Sequence, residues 1–366
     1  MTSTTGGIDP PPAPRTGEPV LARATPFLLV DLELLTDNIR AMARLAADRG
    51  LALRPHVKTH KCTQVGRLQK EAGAVGLTVA TVAEAEVFAA AGFDDLFIAY
   101  PLWVDPAKGH RIRDLATRAG VRVGIDSLEG ARALAAQVPG CPVLIEVDSG
   151  QHRSGVQPAS AGVLAECSQR AGLDVRGLFT FPGHSYAPGA AATVAAEEAA
   201  TLRTAVESLA QRGIEAHVVS GGSTPSVAEA DAEVLTEIRP GVYPFGDAQQ
   251  WELMTTTPGR IALTCVATVV SLAGGNVVLD AGSKALGADR PGYASGYGRL
   301  LDHPDARVVL LAEHHAVVTW DTSPLPTLGS RLRVVPNHVC TAVNLADELV
   351  LRDGSSWPVA ARGANT

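Results

Sequence analysis

The chain has 366 residues, of which 46% are hydrophobic and 19% are charged, and its net charge is −7. This length predicts two domains, or a barrel with an appended domain, and the composition is that of a globular enzyme. The negative charge argues against nucleic acid or an anionic membrane as the main partner, and no apolar run is long enough to cross a bilayer. Five scattered cysteines, an odd number, are typical of reduced thiols in a cytoplasmic protein.

The N-terminal residues 1–25 are rich in glycine and proline and lack the charged and apolar regions of a signal peptide. We interpret them as a flexible leader. Residues 26–31 are apolar and predict a short strand. Apolar residues then recur at helical spacing over residues 32–49, up to Gly50, which predicts the first helix.

From residue 51 onwards, apolar strand-like runs alternate with alanine-rich amphipathic segments. This alternation predicts parallel βαβ units, and eight strands in about 200 residues match the size of a (β/α)8 barrel. The predicted strands are residues 51–57, 77–80, 96–99, 121–125, 143–147, 175–179, 216–219 and 242–245. An open doubly wound sheet is the alternative, but no G-x-G-x-x-G fingerprint follows a first strand. We therefore expect an α/β fold with a barrel over residues 26–250.

The pattern changes after Trp251. Short β-rich runs are separated by Gly, Pro and Asp turns, with little helical periodicity. They are residues 261–271, 276–279, 307–311, 316–320 and 331–335. This pattern predicts a second, mostly antiparallel domain over residues 251–366.

The first barrel strand ends in two histidines and two lysines, within the segment RPHVKTHK at residues 54–61. The chain has only five lysines, so two of them within four residues indicate that an amine is used for chemistry. If this segment is a strand, alternation places His56, Lys58 and His60 on one face, and Thr59 and Lys61 on the other. The alternative is a charged loop whose lysines are merely solvated.

A second candidate feature is the segment SGGST at residues 220–224, which follows an apolar strand. Paired glycines allow backbone N–H groups to approach an anion, so the segment is either a phosphate cradle or a tight turn. Other polar side chains follow predicted strands, among them Arg153, Tyr186, Arg239, Tyr243 and Asp247. A lysine amine and a phosphate cradle at the mouth of one barrel suggest pyridoxal phosphate held as a lysine Schiff base.

The third feature is a histidine and a cysteine two positions apart, His338 and Cys340. On an extended segment both side chains face the same way, and imidazole with thiolate is a ligand pair suited to Zn²⁺. Two protein ligands are too few for a structural zinc site, so the pair predicts a catalytic one. The alternative is a buried cysteine beside a hydrogen-bonded histidine.

Five segments, in this order, resemble the D-threonine aldolase and D-serine dehydratase family: residues 54–61, 146–156, 183–186, 280–284 and 336–340. Members of this family are fold-type III pyridoxal phosphate enzymes with an alanine-racemase-like barrel. The resemblance implies Lys58 as the Schiff-base lysine, with Lys61 as its outward companion. It further implies these roles: Arg153 at the phenolic oxygen of the cofactor, Tyr186 near the pyridine ring, Gly221, Gly222, Ser223, Thr224 and Tyr243 at the phosphate, and His338 with Cys340 at a metal, zinc or alternatively manganese.

The resemblance implies a metal-dependent lyase that acts on D-3-hydroxy amino acids. Aldolases of the family tend to have aspartate where this chain has Cys340, which favours a D-serine dehydratase that produces a 2-oxo acid and ammonia. The alternatives are a D-threonine aldolase that gives glycine and acetaldehyde, an amino-acid racemase, and a non-catalytic cofactor carrier. The segment Phe181-Pro182 departs from the polar pair expected before Gly183. Because fold-type III relatives pair head to tail, we also expect a homodimer.

Overall fold

The computed structural model of the protein describes residues 22–320 and 324–366. Most of the leader predicted at residues 1–25 lies outside these ranges. The described chain divides into two compact units, one of residues 22–35 with 245–357 and one of residues 36–244 with 358–366. This division differs from the predicted boundary at residue 250. A strand near the N-terminus groups with residues 245–357, and the last residues, 358–366, group with residues 36–244. The chain passes from one unit to the other within helix α1 (Leu32–Asp48).

The second unit contains an eight-stranded parallel sheet. Its strands are β2 (Ala52–Leu53), β3 (Leu77–Val79), β4 (Asp95–Pro101), β5 (Gly120–Ile125), β6 (Pro142–Glu146), β7 (Asp174–Phe179), β8 (Val218–Gly221) and β9 (Glu237–Ile238). The order around the sheet is β2-β9-β8-β7-β6-β5-β4-β3, and a parallel bridge between His56 and Thr78 joins its two ends. The helices that alternate with the strands are α2 (Thr63–Glu71), α3 (Val82–Ala90), α4 (Pro106–Ala116), α5 (Leu128–Gln137), α6 (Ala161–Arg170) and α7 (Ala191–Ala210). The predicted α/β barrel is confirmed.

Alternating strand residues contribute to two separate clusters. Leu96 and Ile98 of β4 belong to the large core that the barrel strands form with the helices. Phe97 lies between them in sequence and instead packs edge-to-face on Phe179 of β7, with ring centroids 5.1 Å apart, next to Leu144. Since successive strand residues face opposite sides, this second cluster fills the inside of the barrel.

One of the predicted barrel strands is wrong in position, and another is too long. The eighth strand is β9, not residues 242–245, where Pro240 and Pro244 flank an apolar run without ladder hydrogen bonds. β9 escaped detection because its first residue is charged: Glu237 is buried, with Oε2 2.6 Å from Nε of Arg54. The first predicted strand, at residues 51–57, is reduced to the two residues of β2.

The first unit contains a nine-stranded, mostly antiparallel sheet, in the order β11-β14-β13-β12-β15-β10-β1-β16-β17. The strands are β1 (Phe27–Val30), β10 (Leu263–Ser271), β11 (Val277–Leu279), β12 (Gly298–Leu300), β13 (Arg307–Leu311), β14 (Ala316–Thr319), β15 (Arg331–Pro336), β16 (Glu348–Leu351) and β17 (Ser356–Pro358). Strand β10 also pairs with β11, which closes six of these strands into an antiparallel barrel. The predicted β domain is confirmed. Strand β1 belongs to it, since it is antiparallel to β10 and parallel to β16.

Three short helices complete this unit: α8 (Ala248–Glu252), α9 (Ser283–Leu286) and α10 (Val339–Leu345). No helix within residues 22–320 and 324–366 is long and apolar enough to cross a membrane.

Candidate active site and metal pair

Lys58 lies in a single 3-10 turn, Val57–Thr59, that residues 54–56 separate from the end of β2. Its backbone N–H donates to Nδ1 of His56 over 3.4 Å, and this bond caps the turn. The loop after β9 comes close on the other side: a Cβ added to Gly241 would lie only 2.9 Å from Oγ1 of Thr59. Because the segment is a turn, the predicted strand alternation of residues 56–61 is wrong.

Lys61, the other lysine of the segment, is buried. The outward direction that the resemblance implies for it is therefore wrong. Lys61 is 5% exposed, and its Nζ lies 3.2 Å from Oε1 of the buried Glu84 and 3.3 Å from Oδ1 of Asn365. This amine is bound in a buried ion pair. Lys58 is therefore the lysine of the pair that is available for chemistry.

A cavity of about 450 Å³ opens at the carboxyl ends of the barrel strands. Each of its lining residues lies at the end of a strand or in the loop after it: His56, Lys58, Ala80, Ala99, Tyr100, Pro101, Asp126, Arg153, Ser154, Phe181 and Arg239. Of the predicted cofactor-binding residues, Lys58 and Arg153 line this cavity. Tyr186, Gly221, Gly222, Ser223, Thr224 and Tyr243 are not part of its lining.

Phe181 brings the two predicted cations together. Nζ of Lys58 lies 5.6 Å from the centroid of its ring, and Cζ of Arg153 lies 5.3 Å from the same centroid. Both distances are typical of cation–π contacts. The residue that departs from the family's polar pair thus contacts both of the side chains that the resemblance assigns to the cofactor.

His56 is held in its neutral form. Burial, together with the positive charges of Lys58 and Arg239, lowers its pKa well below the usual 6.5. A neutral imidazole agrees with the role of Nδ1 as acceptor from the N–H of Lys58. The imidazole adds no positive charge to the cavity at neutral pH.

A buried carboxyl group lies close to Arg153. Oε1 of Glu146, the last residue of β6, accepts a hydrogen bond of 3.0 Å from Ser154, and Oε2 has no hydrogen-bond partner within the described chain. Burial raises the pKa of Glu146 to about 6. Asp126, at the end of β5, accepts from the N–H of Gly155 over 3.2 Å. These two carboxyl groups tie the loop that carries Arg153 to two adjacent strands.

The predicted phosphate cradle is partly occupied by the protein itself. Gly222 has a φ of 74°, and its N–H donates to Oε1 of Glu198 over 2.8 Å. The hydroxyl group of Ser223 lies 2.7 Å from that of Ser185, and Oγ1 of Thr224 accepts from the N–H of Val242 over 3.1 Å. Residue 222 therefore needs glycine for its backbone, but its N–H is already bound to a carboxyl group.

Glu198 supplies a test of this arrangement. Burial raises the pKa of the Glu198 carboxyl group from 4.5 to about 7. Between pH 4.5 and pH 7 the native state therefore holds a proton that the unfolded state has released. Stability contributed by this group is present below pH 4.5 and is lost as the pH rises through 7. Glu198→Gln is expected to raise the thermal unfolding temperature of the cofactor-free protein at pH 8 by several degrees, equivalent to about 1–3 kcal/mol.

The measurement is thermal unfolding at pH 5 and pH 8, followed by circular dichroism. Glu207→Gln, at an exposed position of the same helix α7, is the matched control and should unfold like the wild type at both pH values. An E198Q protein that melts below the wild type at pH 8 would show that the carboxylate, not its protonated form, is needed in the native state.

The two tyrosines assigned to the cofactor differ in environment. Tyr243 is 8% exposed, and its hydroxyl oxygen accepts a 3.0 Å hydrogen bond from Nε2 of Gln69. Tyr186 is half-buried and directly follows the turn Gly183–Ser185. The phenol hydrogen of Tyr243 has no acceptor within the described residues. A buried donor without an acceptor fits a site built for a bound anion, as does the amine of Lys58 in its cavity.

The predicted metal pair lies in the first unit, at the junction of β15 and α10. His338 is the N-cap of α10 and Cys340 is in its first turn, so the expected extended geometry is wrong. Nδ1 of His338 lies 3.4 Å from Oδ2 of Asp247, which is fully buried. Burial favours the neutral imidazole, but the negative charges of Cys340 and Asp247 outweigh it and raise the pKa of His338 well above 6.5.

Asp247 lies beside this pair, and no role is assigned to it from the sequence. Its Oδ1 accepts from the N–H of Gln250 over 2.8 Å and its Oδ2 accepts from the N–H of Val339 over 3.2 Å. Nδ1 of His338 has no hydrogen-bond partner within the described residues, although Oδ2 of Asp247 lies 3.4 Å from it. A carboxylate beside the second nitrogen of an imidazole is typical of metal-binding histidines. Within the described ranges no group of three or more His, Cys, Asp or Glu residues is arranged to hold a metal. The imidazole of His338 and the thiol of Cys340 are donors of the kind that zinc takes, and the metal at this pair stays a prediction.

Three further cavity residues were missed or given no role: Tyr100, Asp126 and Arg239. Asp126 directly follows the apolar run of β5, so the rule that barrel sites lie at the carboxyl ends of strands identifies it. Arg239 follows β9, the strand that was misplaced. Its Nε donates to Oγ of Ser220 over 2.9 Å, and its Cζ lies 5.3 Å from the ring centroid of Phe179.

Two family models match successive parts of the chain. The model of the alanine racemase N-terminal domain matches residues 30–249, and that of the putative serine dehydratase domain matches residues 262–352. The first family model thus covers most of the unit that contains the parallel sheet, and the second covers most of the unit that contains the antiparallel sheet. The alanine racemase of Corynebacterium glutamicum, at 20% identity and a TM-score of 0.63, shares the fold.

Full-length relatives narrow the family further. The chain is 34% identical to a D-threonine aldolase of an Arthrobacter species, over 98% of this chain and 97% of the relative. It is also 34% identical to the D-threo-3-hydroxyaspartate dehydratase of Delftia sp. strain HT23, over 88% and 92% of the two chains. The solved structure of that dehydratase has a TM-score of 0.86 and covers 93% of this chain, with 99% of its own covered. This chain therefore belongs to the fold-type III pyridoxal-phosphate-dependent lyases, the family of D-threonine aldolase and D-threo-3-hydroxyaspartate dehydratase.

Proposed function

We propose that the protein is a metal-assisted lyase for D-3-hydroxy amino acids, and that its main reaction is dehydration of the D-serine dehydratase type, giving a 2-oxo acid and ammonia. The observation that carries this proposal is the pair His338 and Cys340, supported by Asp247. By the family resemblance, cysteine at the second position is the dehydratase choice. Solved structures described as D-threo-3-hydroxyaspartate dehydratase include one variant with a histidine replaced by alanine and one with a cysteine, two positions further on, replaced by alanine, and the cysteine variant is described as metal-free.

In this proposal Lys58 carries the cofactor and then acts as the general base. When bound, pyridoxal phosphate supplies an electron sink for the charge that develops at the α-carbon of the substrate. Once its amine is released, Lys58 accepts the α-proton of the substrate at Nζ. Phe181, which contacts both cations, keeps the amine of Lys58 and the guanidinium of Arg153 on one wall of the cavity.

The leaving hydroxyl group is assigned to the metal pair. The imidazole of His338 and the thiolate of Cys340 would hold Zn²⁺, or alternatively Mn²⁺, and the ion would supply a Lewis acid for the 3-hydroxyl group. The carboxylate of Asp247 would fix the orientation of the imidazole. The homodimer expected from the resemblance is part of this proposal and is tested by the molar mass of the protein in solution.

Aldol cleavage is the second candidate reaction. It is favoured by the similarity to the Arthrobacter D-threonine aldolase along 98% of this chain. The same base and metal would then serve cleavage of the Cα–Cβ bond, with loss of an aldehyde in place of hydroxide. The two reactions differ in their products, so product analysis separates them.

The test is incubation of the enzyme, loaded with pyridoxal phosphate and Zn²⁺, with D-serine, D-threonine and D-threo-3-hydroxyaspartate. Proton NMR of the mixture identifies the products, and the L-amino acids serve as controls. We expect the 2-oxo acid and an equal amount of ammonia, with no turnover of the L-amino acids. Glycine and acetaldehyde from D-threonine, without 2-oxobutyrate, would contradict the dehydratase assignment and establish the aldolase.

A further inference from the structure

Three buried side chains form a continuous line of hydrogen bonds in the barrel unit. Nε2 of His60 lies 3.1 Å from Oε1 of Gln69, and Nε2 of Gln69 lies 3.0 Å from the hydroxyl oxygen of Tyr243. His60 and Gln69 are fully buried, and Tyr243 is 8% exposed. Such a chain can run in either direction, depending on where the hydrogens lie, so its polarity has chemical consequences.

A backbone group sets this polarity. The N–H of Cys62 donates to Nδ1 of His60 over 3.1 Å, so Nδ1 is the acceptor of the ring. Burial lowers the pKa of His60 to about 4, so the ring is neutral and its single proton lies on Nε2. Nε2 therefore donates to the carbonyl oxygen of Gln69. The amide nitrogen of Gln69 must then donate to Tyr243.

The line leaves one hydrogen-bond donor unused at its end. Because the oxygen of Tyr243 accepts from Gln69, its own hydrogen points elsewhere, and no acceptor for it exists among the described residues. A buried hydroxyl group without an acceptor is destabilising unless a ligand supplies one. The ligand group that this donor fits is an acceptor, such as an anionic oxygen.

Tyr243 also lies next to the glycine-containing loop after β8. The N–H of its neighbour Val242 donates to Oγ1 of Thr224 over 3.1 Å. On the other side, Gly241 is close to Thr59 in the turn of Lys58. The two residues before Tyr243 thus contact both the candidate phosphate loop and the turn that carries the candidate cofactor lysine.

We propose that His60 and Gln69 are positioning residues that force the hydroxyl group of Tyr243 to donate to the phosphate of the cofactor. The proposal rests on the proposed function, since it takes pyridoxal phosphate as the ligand. It predicts that this line of hydrogen bonds contributes to the affinity for the phosphate group and not to that for the pyridoxal ring. The affinity ratio of pyridoxal phosphate to pyridoxal therefore measures the contribution of the line.

The experiment determines dissociation constants of the full-length protein for pyridoxal phosphate and for pyridoxal, by equilibrium dialysis. Tyr243→Phe is expected to weaken pyridoxal phosphate binding by about 10- to 100-fold, because it removes a hydrogen bond to a charged group. Gln69→Met, which has the same length and no polar group, is expected to weaken it about three- to tenfold. Pyridoxal binding should change less than about twofold in both variants.

The double variant distinguishes positioning from packing. If Gln69 acts through the hydroxyl of Tyr243, then Gln69→Met has no further effect on the ratio in the Tyr243→Phe background. Gln64→Met, on the same helix α2, is the matched control and should leave the ratio unchanged. Should Q69M unfold, Gln69→Glu keeps the acceptor for His60 and reverses the bond to Tyr243. The affinity ratio of pyridoxal phosphate to pyridoxal at pH 8 should then be lower for Gln69→Glu than for the wild type.

Equal losses for pyridoxal phosphate and pyridoxal, or additive losses in the double variant, would overturn the proposal, because either result indicates packing alone. A wild-type protein that binds no pyridoxal phosphate would overturn the proposed function itself, and this inference with it. The two failures are therefore distinguishable in one set of titrations.

Discussion

Replacing Lys58 by alanine is expected to lower the lyase activity by at least about 10³-fold, because the cofactor loses its covalent anchor and the reaction loses its base. The structure supports this choice of lysine, since Lys58 lines the barrel cavity and Lys61 is held by Glu84. The visible absorbance band of the lysine-bound cofactor should also disappear. The measurements are initial rates of 2-oxo acid formation and an absorbance spectrum of the loaded protein.

Lys108→Ala is the matched control for this prediction, because Lys108 is partly exposed on helix α4 and its amine donates to the backbone oxygen of Trp103. It should keep the activity and the absorbance band. Activity in K58A above about one-tenth of the wild type would exclude Lys58 as the general base.

The second large effect concerns the metal pair. His338→Ala and Cys340→Ser are each expected to remove the bound metal and to lower the activity by about 10²- to 10⁴-fold, equivalent to the several kcal/mol that a Lewis acid supplies. The cofactor band should persist in both variants, because Lys58 and the metal pair belong to different structural units. Metal content by elemental analysis, activity and absorbance are measured on the same preparations.

Cys167→Ser is the control for the thiol, since Cys167 is a half-buried cysteine on helix α6 with no part in the site. It should retain both metal and activity. Full activity of either metal-pair variant after removal of metal by a chelator would show that the reaction needs no metal at this position.

Apolar runs were sufficient to predict most of the barrel strands. A barrel strand is covered by helices on one face and by the barrel interior on the other, so its residues are continuously hydrophobic. The run at residues 121–125, for example, corresponds to β5. The same rule failed at β9, where the buried partner of Arg54 is a glutamate. At β1 the rule predicted the strand correctly, but the strand was assigned to the barrel, whereas it pairs with β10 and β16 of the other sheet.

The site was predictable where chemistry depends on residue type and less so where it depends on local geometry. The scarcity of lysine indicated Lys58 and Lys61 together, and the resemblance implied Lys58. Strand alternation gave the wrong account of the neighbouring residues, since a 3-10 turn follows β2. The line from His60 through Gln69 to Tyr243 joins residues up to 183 positions apart in the chain. Its two hydrogen bonds are visible only in the folded structure. Asp247 was likewise visible only as a polar residue near a strand end until its contacts with Val339 and His338 were known.

Reductive trapping of the cofactor tests whether Lys58 is the lysine that binds pyridoxal phosphate. The wild-type protein is loaded with pyridoxal phosphate, reduced with borohydride, digested and mapped by mass spectrometry. We expect one modified peptide, with the reduced cofactor on Lys58 and an unmodified Lys61. Attachment to any of the other four lysines, Lys61, Lys70, Lys108 or Lys284, or no attachment to a well-folded protein, would contradict it.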